Sequence, residues 1–116
     1  MCSSDLPIIR KYDIPYLGGY SNDGKRVYID RHLNCTYKGK DISKFIRVHE
    51  VSEKAAIDLF NLDYQHAHKI ANHMERQAVE KAGINWIKYC DHLDPYIKQV
   101  SKEHLVTIPQ IGRAHV

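Results

Sequence analysis

No apolar run in the sequence approaches the roughly 18 residues that a membrane-crossing helix needs, and no signal peptide precedes Pro7. A membrane partner is therefore not expected. Cysteine is scarce as well. Setting aside Cys2, which falls in a terminal segment treated below, leaves Cys35 and Cys90, too few and too far apart for a disulfide framework or a Cys-x-x-Cys metal site. That usage implies a reducing, cytoplasmic compartment. Nor is there a block of one charge. The formal net charge of +3 is spread along the chain, so nucleic-acid binding is permitted but not signalled. The sequence shows no repeat, low-complexity tract or internal linker, and it specifies no oligomeric state.

What is there is a chain of 116 residues, long enough for one domain that buries roughly two thirds of its unfolded surface without disulfides. Its ends read differently from its middle. Cys2-Ser3-Ser4-Asp5-Leu6 can be encoded by TGC TCT TCC GAT CTN and Ile111-Gly112-Arg113-Ala114-His115 by ATC GGA AGA GCA CAC, and these strings are reverse complements. With GTG read as the start at Met1, both match a common sequencing adapter in opposite orientations. Residues 1–6 and 111–116 are accordingly read as sequencing-adapter-derived ends. Residues 7–110 are read as a single α+β domain, whose gene is free to extend beyond Pro7 or Gln110.

Within that domain, Ile8 to Tyr12 reads as a short strand that Ile14-Pro15 ends or bends. A hairpin follows, with Tyr16 to Tyr20 and Lys25 to Arg31 flanking Ser21-Asn22-Asp23-Gly24, because Asp-Gly accepts the positive φ of a tight turn. In its second strand Val27, Ile29 and Arg31 face one way, Tyr28 and Asp30 the other. The eight tyrosines suit half-buried faces with a polar tip in water. Asn34 to Lys40 is a polar connection.

From Asp41 the period lengthens to about 3.6, and Ile42, Phe45, Ile46, His49, Glu53, Ala56, Ile57 and Phe60 fall on one helical face capped by Asp41 or Ser43. After Asn61-Leu62, Asp63 opens a second helix reaching about Ala82, with Ala67, Ile70, Ala71, Met74, Ala78 and Ala82 inward and Gly83 just past its end. Asn85 caps a short third helix through Tyr89, and Asp94-Pro95 starts a fourth. The order predicts an α+β fold: an N-terminal strand and β-hairpin packed on three to four helices.

His49 and Glu53 interrupt the apolar stripe of the first helix. Four residues apart, they project from one face about 6 Å apart at Cβ. A buried carboxylate needs a cation, donor or metal nearby, since alone it would cost several kcal/mol or titrate to its neutral form. One solution is a divalent metal held by both side chains, with Glu50 beside it as proton acceptor.

The sequence His49-Glu50-x-x-Glu53, on a helix that follows the strand Val27-Tyr28-Ile29-Asp30, resembles the active helix of zincin-type metallopeptidases. In that family His-Glu-x-x-His supplies two metal ligands one turn apart and a glutamate that activates water. The resemblance implies His49 as a zinc ligand, Glu50 as general base and a third ligand from the next helix. His68, on a stripe with Tyr64, Ala71 and Glu75, is the best placed. It departs where the standard motif has a second histidine, because this chain has Glu53, which makes the set His/Glu/His. Carboxylate oxygen ligates zinc at about 2.0 to 2.2 Å. Zinc would polarise a peptide carbonyl while Glu50 takes the proton of water. Tyr64 would donate to the oxyanion. The strand around Tyr28 could take an extended peptide or protein substrate by strand addition, as the resemblance implies.

The alternative is structural, with His49 and Glu53 a buried hydrogen-bonded pair, joined by Tyr64 or His68, that fixes how the helices pack. His66 lies about 200° around the helix from His68, and His66, His73, His92 and His104 read as solvated. Cys90 reads as a buried or neutral thiol. Under this alternative the protein is a non-catalytic accessory factor that acts by binding protein or nucleic acid. Its texture is similar to that of uncharacterised phage and prophage proteins. Lys25, Arg26, Lys38, Lys40, Lys44 and Arg47 are then a basic edge or, more plainly, a solvated face.

Overall fold

Glycine and left-handed residues set the turns around which the N-terminal half is built. The computed structural model describes residues 6–12, 17–21, 23–100 and 111–115, with residues 99–100 and 111–115 described by their backbone alone. Ile14, Pro15, Tyr16, Asn22 and His104 lie outside the described residues.

Strand β1 (Ile8–Ile9) is followed by the hairpin strands β2 (Gly18–Ser21) and β3 (Val27–Ile29), shorter than their sequence pattern suggests. The turn between β2 and β3 is closed by Gly24 N–H donating to Ser21 O at 2.9 Å, with Gly24 at φ 71°. Ser21 Oγ donates to Asp23 Oδ1 at 2.5 Å and accepts from the Arg26 N–H, so side chains reinforce the turn. β2 and β3 pair antiparallel, Gly19 opposite Tyr28, while β1 joins the other edge of β3 in parallel. The alternation of β3 does not separate a wet face from a dry one. Val27, Tyr28, Ile29 and Asp30 are all buried: Val27 and Ile29 join the core, and Tyr12 lies edge-on to Tyr28 at 6.1 Å.

The connection after β3 holds two further strands that its polar sequence does not announce. β4 (Thr36–Tyr37) and β5 (Lys40–Asp41) pair across Lys38-Gly39, both at positive φ, which is the requirement of a two-residue hairpin.

Helix α1 (Ser43–Phe60) starts at the cap residue Ile42, whose side chain cannot cap. Asp41 Oδ1 instead accepts from both the N–H and the hydroxyl of Ser43. Leu17, Val27, Ile29, Ile42, Phe45 and Ile46 form the core between the sheet and α1. Each such side chain contributes about 1.5–3 kcal/mol on burial. Gly18 sets the spacing, because a Cβ there would lie 2.7 Å from Ile46 Cγ2 and 3.2 Å from the Tyr28 carbonyl. The apolar stripe fails at its last turn, where Phe60 is 72% exposed beside the turn at Asn61. Asn61 adopts the left-handed conformation and returns its N–H to α1 carbonyls.

Helix α2 (Tyr64–Lys81) is capped by the Asp63 carboxylate, which accepts from the His66 N–H at 2.9 Å. Its inward face differs from the expected one. Ala67, Ala71, Glu75 and Val79 are buried, whereas Ile70 and Met74 are on the flank, 43% and 42% exposed. The two alanines, with no bulk to hold the helices apart, face α1 directly. Gly83 follows at φ 82°, and Lys40 Nζ donates to the Ala82 carbonyl at 2.6 Å at the end of α2.

Helix α3 (Trp86–Val100) is one element where two were expected, with Pro95 inside it. Asn85 caps it by accepting from the Lys88 N–H. Proline removes one backbone bond, but Tyr89 and Leu93 are buried and Tyr96 and Ile97 pack beyond them, so a continuous stripe carries the helix through. Residues 111–115 run antiparallel beside β2 as strand β6 (Ile111–His115), giving the sheet order β1-β3-β2-β6. That pairing uses backbone groups, which every sequence carries, and so is indifferent to how the segment is encoded. The fold is α+β, with three helices among the described residues. Among the described residues no helix is long and apolar enough to cross a membrane.

Candidate metal centre

The packing of α1 on α2 determines which side chains meet. His49 and Glu53, one turn apart, point at the α2 face opened by Ala67 and Ala71, and α2 sends His68 and Glu75 back toward them. His49, Glu53 and His68 each offer a ligand atom, all within 4.8 Å of one another, and together could hold a metal ion. The three residues singled out as ligands are thus brought together.

His49, Glu50 and Glu53 are fully buried and Glu75 is 1% exposed. Glu53 Oε2 lies 3.4 Å from His49 Nε2 and 3.2 Å from His68 Nδ1. The other Glu53 oxygen, Oε1, is buried with no hydrogen-bond partner among the described residues. A bare acceptor in this position is the kind of atom a cation satisfies. The rings of His49 and His68 meet edge to face at 4.9 Å, and Tyr64 stacks on His68 at 5.6 Å and 25°. Tyr64 therefore adjoins the cluster through His68.

Glu75 was visible in sequence only as a neighbour on the His68 stripe, and Tyr89 only as the end of a helix. Both belong to the cluster. His49 Nδ1 and Glu75 Oε1 are 2.8 Å apart, and Tyr89 donates its hydroxyl proton to Glu75 Oε2 at 2.5 Å. A carboxylate only accepts, so Nδ1 of His49 carries the proton and Nε2 is the nitrogen turned toward Glu53. The missed signal is that Glu75, four residues after Ala71, interrupts the α2 stripe as Glu53 interrupts that of α1.

The electrostatics follow from burial. Desolvation alone would lower the His49 pKa, but hydrogen bonds to Glu53 and Glu75 and the charge of Glu50 outweigh it and hold His49 up at about 9. Burial pushes Glu50 well above the ordinary carboxylate value. The charge on His49 opposes that shift, and those on Glu53 and Glu75 add to it. Burial likewise raises the Tyr89 phenol, with the Glu75 charge adding to it. A cavity of about 250 Å³, walled by Tyr20, Val27, Val51 and Leu59, has Glu50 among its lining. A second, of about 490 Å³ between α2 and α3, is lined in part by Glu75, Tyr89 and Cys90.

Several of the remaining histidines and basic residues have local partners. His66 is exposed and bonds Asp63. His92 is partly buried, contrary to expectation, with Nε2 3.0 Å from the Asn34 carbonyl and its ring beside Tyr37. Arg26 pairs with Asp23, Arg47 reaches the Leu6 carbonyl, and Lys38 and Lys44 lie over aromatic rings. Cys35 and Cys90 are free thiols, both raised by burial. No protein-family model matches the chain, and neither a curated protein nor a solved structure matches it.

Proposed function

We propose that the protein is a zinc-dependent hydrolase of the peptidase type, with His49, Glu53 and His68 as the metal ligands. The observation that carries this reading is the convergence of two imidazoles and one carboxylate within 4.8 Å, one carboxylate oxygen being bare. Two histidines and a glutamate form a donor set of catalytic zinc, which keeps a position open for water. Charge supports the same reading. The Glu53 and Glu75 carboxylates are buried beside His49, and buried negative charge is costly unless a cation offsets it; a bound metal would replace the His49 proton in that role.

Zinc in such a site polarises a carbonyl and lowers the pKa of water. The side chains do the rest. Glu50, next to the ligand His49, has its pKa raised by burial, which makes its carboxylate a stronger base toward water and its acid form a donor for a leaving amine. His68, packed between His49 and Tyr64, is oriented by ring contacts on both sides. The Tyr64 phenol is the hydroxyl donor for a developing oxyanion.

The second reading, a non-catalytic binding protein, is favoured by one observation. His49 between Glu53 and Glu75 already forms a bonded ion cluster that ties α1 to α2. Metal analysis of the full chain, purified without a His tag or chelator, separates the two, with His49→Ala in parallel. Stoichiometric zinc in the parent and its loss in the variant support the hydrolase. No metal in the parent, with the variant merely destabilised, overturns it in favour of the structural cluster. Stoichiometric iron would keep the metal site and overturn hydrolysis, since two histidines and one carboxylate also suit ferrous oxygenase chemistry.

A further inference from the structure

The bonds behind His49 run deeper than a ligand set requires. His49 Nδ1 meets Glu75 Oε1 at 2.8 Å, and Tyr89 OH meets the other oxygen of the same carboxylate at 2.5 Å. All three residues are at most 1% exposed, and they come from three different helices. Glu75 sits between Ala71 and Val79 on the α2 stripe, where an apolar residue would pack without desolvation. Tyr89 spends its hydroxyl on this one acceptor and stacks its ring on Trp86 at 5.6 Å, so its position is fixed independently of Glu75.

We infer that Glu75 and Tyr89 are positioning residues of the metal centre: Glu75 fixes the Nδ1–H tautomer and ring plane of His49, and Tyr89 holds the Glu75 carboxylate in place to do so. This inference rests on the metal reading of His49, Glu53 and His68. A carboxylate on the far nitrogen of a ligating imidazole orients the ring and makes its metal-facing nitrogen a stronger donor. The tyrosine acts only through Glu75, since its hydroxyl touches no ligand atom. The geometry also gives the chain an outer end. Glu75 and Tyr89 are among the residues lining the cavity of about 490 Å³ between α2 and α3.

The test is titration of the metal-free full chain with Co²⁺, read by its visible absorption, and with Zn²⁺ against a chelating dye. Parent, Glu75→Gln, Tyr89→Phe and the double variant are compared, with thermal unfolding of each metal-free protein measured separately. Glu75→Gln keeps an acceptor for His49 but loses the charge, and metal affinity should fall by about 10- to 100-fold. Tyr89→Phe should weaken binding less, and the double variant should bind no worse than Glu75→Gln, because the tyrosine works through the carboxylate. Parent-like affinity in Glu75→Gln, with only its melting temperature lowered, would make the contact structural and overturn the inference while leaving the metal site standing. Additive losses in the double variant would overturn the role given to Tyr89. A parent that takes up neither ion overturns the metal reading and this inference with it. Should Glu75→Gln not fold, Tyr89→Phe decides alone, and unchanged affinity there counts against the inference.

Discussion

His68 Nδ1 lies 3.2 Å from Glu53 Oε2, an atom pair that joins two members of the candidate site across the boundary between α1 and α2. The two residues differ in exposure, Glu53 being fully buried and the His68 side chain 28% exposed. His68→Ala should therefore leave the fold nearly intact and still weaken metal binding by more than the roughly 10- to 100-fold typical of an outer-shell partner. Circular dichroism with zinc titration checks both halves, and tight zinc binding by the variant would remove His68 from the ligand set.

Glu50→Gln separates catalysis from metal binding. Burial disfavours charge on Glu50, and glutamine matches it in size without carrying one, so folding and metal content should be retained. Activity against a peptide library should fall by about 100- to 10,000-fold, the contribution of a positioned base. Undiminished turnover would remove Glu50 from the mechanism.

Gly18→Ala probes the spacing of α1 on the sheet. Its methyl would press on Ile46 Cγ2 and on the Tyr28 carbonyl, and the Glu50 side chain lies 3.7 Å away. Overpacking of this kind costs about 1–3 kcal/mol. Denaturant unfolding should show that loss, and an unchanged midpoint would mean that α1 is not held at this distance.

Asp63 gives a pH dependence with a definite sign. Its pKa is lowered from 3.8, first by the hydrogen bond from the His66 N–H and then by the His66 side chain. A carboxyl depressed in the folded state stabilises fully above its unfolded value and loses that contribution as pH falls through the lower folded value. Asp63→Ala should thus lower the melting temperature near neutrality, with a gap from the parent that closes as pH drops below 3.8. A gap independent of pH would assign the effect to helix propensity instead.

Pro95 marks where local signals misled. Asp94-Pro95 reads as a helix start, because proline suits a first turn, yet the stripe of Tyr89, Leu93 and Ile97 runs straight through it. Pro95→Ala should raise stability by about 1–3 kcal/mol by restoring a backbone bond, measurable by urea unfolding. A destabilised variant would mean that the proline is needed where it stands.

The same contrast between local and distant information explains what else was legible. The Asp-Gly hairpin, the Asp63 and Asn85 caps and the acids within the α1 stripe are fixed by neighbours a few positions away, and they stand out in the sequence. The Lys38-Gly39 turn has only one glycine in a run of polar residues. The rotation of α2, which buries Glu75 and exposes Ile70 and Met74, depends on how closely Ala67 and Ala71 let it approach α1. The link from Tyr89 to Glu75 joins two helices by a single pair of atoms, for which no periodicity exists.

The left-handed Asn61 turn gives the cluster an unusual economy of chain length. Glu53 and His68 are 15 positions apart across it, fewer than separate Ile8 from Val27, which must pair in parallel with no turn between neighbours to guide them. Closing a short loop carries a small entropic penalty, and local contacts form early. The α1–turn–α2 hairpin is therefore the unit expected to gain protection from hydrogen exchange first during refolding. The candidate centre would then be assembled, and able to accept an ion, while the sheet above it is still forming.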